Sequence, residues 1–229
     1  MRRIAIGLFL GLLALAVVMP AAARAQTLFL DYVGYDYEDP NPDPSQFGEV
    51  GSGYVGLGLV PGLFAPLVAD TSQYEYTYEI SGLTSVAVTP VGPFIIVTYT
   101  AGTLSVYQDS KSSGTPADYG INPPNGTAPP TFVDGTLFVA GTLTNFTYVL
   151  NTIDLTGSFE ANFEATGGVE VLNNDIPANQ RKGWTFAGTS ANELNMPEGY
   201  AHQVDGQVFL NEPVRTKSTS WGGIKARYR

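Results

Sequence analysis

The sequence has no cysteine, a single histidine and little charge. The absence of cysteine from all 229 residues excludes a disulfide scaffold, a zinc–thiolate site, a cysteine nucleophile and a lipid-anchored cysteine. One histidine, His202, excludes a multi-histidine metal site within one chain. It stands in Gly199-Tyr200-Ala201-His202-Gln203 and reads as a surface or turn residue. No Gly-x-Ser-x-Gly elbow or other nucleophile context accompanies it. Charged residues make up 14%, against roughly 25% in ordinary globular chains. With 44% hydrophobic and 12% aromatic residues, that shortage does not mean disorder. The length supports one folded unit with a sizeable core.

Long apolar runs are also missing, except at the N-terminus. Met1-Arg2-Arg3 is followed by a 16-residue apolar run over 4–19, short of the roughly 20 residues needed to span a bilayer. Ala23-Arg24-Ala25 matches a cleavage site, so residues 1–25 read as a signal peptide for general secretion. The mature chain then starts at Gln26 and carries no transmembrane segment.

Basic residues are scarce where it matters. Eleven are present against 21 acids, and losing Arg2, Arg3 and Arg24 leaves 8, a net charge of −13. From Gln26 to Gln180 the only base among 17 acids is Lys111. Such a surface repels phosphate backbones, so nucleic acid is excluded as a partner and cations or neutral polymers are favoured.

What is present reads as strands. Residues 73–80 alternate Tyr74, Tyr76, Tyr78 and Ile80 against Glu75, Thr77 and Glu79; residues 155–165 alternate in the same way. Continuous β-prone runs cover 94–100 and 137–150, and shorter ones 84–89, 103–108, 169–172, 183–188 and 207–210. Asp134-Gly135, Gly167-Gly168 and Asp205-Gly206 read as turns. This spacing predicts an all-β fold, an antiparallel jelly-roll-like β-sandwich over 26–212 with a basic tail over 213–229. A lipid-facing barrel is less expected, because ~10-residue alternating strands do not recur throughout. One short helix is expected from Ser190, with Glu193 three residues on and Pro197 as its stop. Residues 36–45 and 109–131 read as long loops, and loops beyond about 12–15 residues are often functional.

Asp39, Asn41 and Asp43, flanked by Asp36 and Glu38, place oxygen ligands at alternate positions, as the opening of a calcium loop does. Pro44 and Val50 depart from the EF-hand pattern. Calcium is thus the one cofactor expected, against the plainer reading of an acidic surface loop. Carboxylates four apart on a strand, Glu160 with Glu164 and Glu75 with Glu79, lie about 13 Å apart. That is too far for the roughly 5–9.5 Å of a glycosidase pair. Gly51, Gly53, Gly56 and Gly58 lack a P-loop lysine. Tyr32, Tyr35 and Tyr37, with Tyr74, Tyr76 and Tyr78, are candidate sugar-stacking residues if exposed and core residues if not.

Asp134-Gly135-Thr136-Leu137, Thr156-Gly157-Ser158-Phe159, Gly183-Trp184-Thr185-Phe186 and Pro197-Glu198-Gly199-Tyr200 carry a general resemblance. Over residues 74–210 the chain resembles uncharacterised bacterial secreted proteins of the PEP-CTERM-type kind, although it has no Pro-Glu-Pro signal. The resemblance implies a matrix- or envelope-associated protein without assigned catalysis. The expectation is an exported, non-enzymatic surface or matrix protein that binds polysaccharide or a cell-surface component, with or without calcium. A carbohydrate-active hydrolase and a passive structural subunit are the alternatives.

Overall fold

The computed structural model describes residues 25–39, 47–120, 129–173 and 176–212. Nine strands lie among them: β1 (Ala25–Asp39), β2 (Gly53–Leu63), β3 (Tyr74–Val91), β4 (Phe94–Tyr99), β5 (Gly102–Ser110), β6 (Thr136–Asn151), β7 (Thr156–Gly167), β8 (Trp184–Ala191) and β9 (His202–Glu212). One short helix, α1 (Val169–Leu172), and single 3-10 turns at Pro130–Phe132 and Ala178–Gln180 join them. The barrel body is Gln26–Asn211; Met1–Ala25 and Glu212–Arg229 form a second unit, of which only Ala25 and Glu212 are described.

The strands run as an antiparallel meander that returns on itself. β1 pairs with β2, β2 with β3, β6 with β7, β7 with β8 and β8 with β9, and β9 lies beside β1. At that seam the Ala201 N–H donates to the Asp36 carbonyl at 2.7 Å, and the Gln207 amide donates to Asp31 at 3.1 Å. Between β3 and β6, strands β4 and β5 act as one interrupted stave, each pairing with both neighbours. The product is a closed eight-stave barrel, which corrects the expected sandwich. Period-two alternation buries one face in either architecture; the β1–β9 pairing that decides between them joins opposite ends of the sequence. Closure also removes the open sheet edges through which strands of different copies could pair.

Three neighbouring staves are irregular at one level. Gly82 in β3 takes φ +75° and Asn145 in β6 takes φ 56°, while the middle stave breaks at residues 100–101. The β6–β7 register shifts between Thr144 and Thr147. Interruptions of this kind increase local twist and turn a sheet through a corner.

Residues 26–39 and 53–63, assigned no strand above, form β1 and β2. Residues 169–172 are α1, not strand, and Ser190 begins no helix but lies within β8. Asp205-Gly206 sits inside β9, where Gly206 makes room for the Tyr32 ring. The Phe94–Tyr99 run is a stave paired on both sides.

Aromatic rings fill the bore, as an eight-strand barrel is just wide enough for side chains to do. Phe159 stacks on Tyr148 at 5.7 Å, on Phe146 at 5.8 Å and on Phe186 at 5.6 Å. Phe186 in turn stacks on Tyr32 at 5.1 Å. Farther along, Phe29 and Phe163 flank Trp184 at 4.5 and 5.5 Å. Outward positions on β7 to β9, including Ser158, Glu160, Asn162, Thr189 and Asp205, are polar and exposed. No helix among the described residues is long and apolar enough to cross a membrane.

Candidate functional site

One end of the bore is polar. On β1 the alternation of a strand puts Tyr35 and Tyr37 outside and Asp36 and Glu38 inside. His202 opens β9, Tyr148 lies near the end of β6, Ser190 near the end of β8, and Tyr99 closes β4. Five staves thus bring these side chains to the same mouth. Asp36 and His202 are wholly buried and Glu38 is 1% exposed.

The hydrogen bonds form two linked groups. His202 Nδ1 lies 2.9 Å from Asp36 Oδ1, and the Tyr148 hydroxyl is 3.4 Å from both Asp36 Oδ2 and His202 Nδ1. The same hydroxyl bonds Ser190 Oγ. Glu38 accepts from the Tyr99 hydroxyl at 3.0 Å and from the Gly48 N–H at 2.8 Å. Gly48 has φ +93° and packs on Ile95 and Val97, which a Cβ would crowd at 2.9 Å. This turn carries Phe47 into the mouth, where its ring meets His202 at 4.8 Å, Tyr148 at 4.9 Å and Tyr54 at 6.2 Å.

Burial pushes the Glu38 carboxyl up to about 7; the Gly48 and Tyr99 bonds oppose the rise and the Asp36 charge adds to it. Burial, with Asp36 next, also holds the Tyr54 and Tyr148 hydroxyls well above their ordinary range. Among the described residues four buried side-chain polar atoms have no hydrogen-bond partner. His202 Nε2 and Tyr54 OH belong to this cluster, whereas Tyr78 packs on Tyr32 and Tyr37 lies on the outer face of β1. Buried polar groups are nearly always paired, so the two unpartnered atoms that meet at one mouth mark a place able to take another polar group.

The residues singled out by sequence divide between the two sides of the wall. Tyr32, Tyr76 and Tyr78 are buried in the main core and Tyr74 packs half-buried against it. Tyr35 and Tyr37 join Tyr200, Tyr119 and Phe132 in an aromatic cluster on the outer face of β1 and β2. The described parts of the long loop thus lie over the barrel wall, anchored where Thr77 donates to the Phe132 carbonyl at 2.9 Å. Asp36 and Glu38 face the bore while Asp39 ends β1 half-exposed; Asn41 and Asp43 lie outside the described residues. Among the described residues no group of three or more histidine, aspartate or glutamate side chains is placed to hold a metal. Glu164 pairs with Lys182 at 3.0 Å on the surface, and Glu75 accepts from the Ala117 N–H at 2.8 Å.

His202 is the main correction, being interior and not a surface or turn residue. Phe47, Tyr54, Tyr99, Tyr148 and Ser190 also escaped notice as site residues. One signal was available: in Tyr35-Asp36-Tyr37-Glu38 aromatics and acids alternate, the pattern of a strand with a polar inner face. No protein-family model, curated protein or solved structure matches this chain.

Proposed function

We propose that this is an exported, non-catalytic binding barrel that takes a small polar organic ligand at the Phe47 end of its bore. The observation that carries the reading is the two unpartnered atoms, His202 Nε2 and Tyr54 OH, buried in the cluster that holds Asp36 and Glu38. A core selected for stability alone gains nothing from them, since each unpaired buried group costs about 1–3 kcal/mol. Ligand sites combine apolar walls with a few placed polar groups, and ring walls with carboxylates, imidazole and hydroxyls match that description. Export rests on the leader-like N-terminus and a surface role on the acidic body. Polysaccharide binding through exposed tyrosine rows gains no support from where those tyrosines lie. The test is binding of benzyl-sized probes (benzyl alcohol, benzylammonium and benzoate) to the chain and to Phe47→Ala, whose missing ring enlarges the seat. Saturable binding of one of them supports the reading; no binding of any probe to either protein contradicts it.

A second reading, the carbohydrate hydrolase, draws on Asp36 and Glu38 themselves. Two residues apart on one strand face, with Cα atoms about 7 Å apart, they direct both carboxyl groups to one mouth, as a glycosidase directs its pair to one substrate. Glu38, raised to about 7 by burial, has the character of a general acid. Hydrolysis of aryl glycosides, lost in Glu38→Gln, would favour this reading over the binder.

A further inference from the structure

We infer that the ligand of the barrel mouth is an organic cation, a protonated amine, seated against Glu38 and Asp36 and walled by Phe47, Tyr54, Tyr99 and Tyr148. The inference rests on the binding reading above and adds the chemical class. Charge is the first argument. The mouth holds two carboxylates and one imidazole, and among the described residues no lysine or arginine pairs with either acid. An anion would meet two carboxyl groups with one imidazole to offset them, and a cation meets the opposite balance.

Hydrogen-bond polarity is the second argument. His202 Nδ1 faces a carboxylate oxygen at 2.9 Å, so a ring proton sits on Nδ1 and Nε2 is the ring's remaining polar atom. That atom is unpartnered. The Glu38 oxygens accept from Tyr99 and Gly48, and when ionised each keeps a second lone pair that one of an ammonium's three N–H donors can fill. The walls supply the third argument. Tyr54 meets Tyr99 edge-on at 5.9 Å, Phe47 edge-on at 6.2 Å and Tyr148 at a tilt at 6.0 Å; removing the Phe47 ring uncovers the aromatic surface it packs on, and a desolvated ring attracts a cation. Phe47, which enters from a turn while the other three rings sit on strands, occupies the seat that the ligand's apolar part would take.

The experiment compares benzylammonium, benzyl alcohol and benzoate, nearly equal in shape, by calorimetric titration into the full chain and Phe47→Ala. Phe47→Leu serves if the alanine variant does not fold. The expected order is benzylammonium at least about tenfold tighter than benzyl alcohol, with benzoate not binding. Glu38→Gln is expected to remove most of that preference. Should that variant fail to fold, proton release supplies the same information. At neutral pH the bound cation draws a proton off Glu38, which faces Asp36 on its own strand, Tyr99 on β4, Tyr148 on β6 and, through Asp36, His202 on β9. Release is then read as a dependence of the binding heat on the buffer. Equal affinity for the alcohol and the ammonium, or tighter binding of benzoate, overturns the cation class while leaving a binding mouth in place. Failure of all three probes overturns both readings.

Discussion

His202 Nδ1 and Asp36 Oδ1 lie 2.9 Å apart inside the barrel, although the residues are 166 positions apart in sequence and neither side chain is exposed. The pair joins the last stave to the first, so it is both part of the mouth and a clasp on the closure. Truncating one member of a buried hydrogen-bonded pair leaves the other unpaired and costs about 3–5 kcal/mol. His202→Ala is therefore expected to destabilise by that amount in urea unfolding. Combined with Asp36→Asn, the total loss is expected to fall short of the sum by about 0.5–3 kcal/mol.

Glu38 makes stability depend on pH in an unusual direction for an acid. Its carboxyl is raised from an ordinary 4.5 to about 7 by burial, so the folded chain holds a proton that the unfolded chain gives up. This contribution is fully present below about pH 4.5 and is lost as pH rises through about 7, a decline of about 3 kcal/mol. Glu79 is raised by burial as well and contributes in the same sense. Stability curves across that window are expected to flatten in Glu38→Gln, and an unchanged slope would show the carboxyl is not titrating there.

The interior tyrosines give a second pH signature. Burial is the first cause holding Tyr32, Tyr54, Tyr78, Tyr99 and Tyr148 above their ordinary range. A group raised in the folded state stabilises below its unfolded value, near 10, and that contribution is lost above it. Phenolate absorbance from these five is expected to appear together with unfolding. A smooth, complete titration of the folded chain would contradict the packing.

Gly34 and Gly58 face each other across β1 and β2. A methyl group on either would overlap the opposite backbone, the Leu57 carbonyl in one case and the Val33 carbonyl in the other. Neither has a flexible side chain that could give way, so Gly58→Ala is expected to cost about 1–3 kcal/mol or more. Gly51→Ala, which meets nothing nearby but needs φ +96°, tests backbone strain separately from crowding.

The sequence made the staves from β3 to β7 legible because alternation there is clean, as in Phe159, Ala161, Phe163 and Ala165 against Ser158, Glu160 and Asn162. β1 was hidden by its own chemistry. Aspartates and glutamate followed by Pro40 read as an acidic loop, although Asp36 and Glu38 are the inner face of a strand. β2 was hidden by Gly53, Gly56, Gly58 and Gly62, which weaken strand propensity yet let β1 approach. His202 was illegible for a different reason: its partners Asp36 and Tyr148 stand 166 and 54 positions away, and no local pattern records such pairing. Closure itself belongs to the same class of long-range facts.

The single histidine offers the most direct test of the account. Imidazole nitrogen NMR of this chain reads one residue, with Nδ1 engaged by Asp36 and Nε2 unpartnered. On titration with benzylammonium, the account predicts a saturating shift of the His202 Nε2 resonance with Nδ1 still bonded to Asp36, and the same dissociation constant as calorimetry. Saturable binding that leaves both His202 resonances unmoved would place the ligand elsewhere and contradict the central claim.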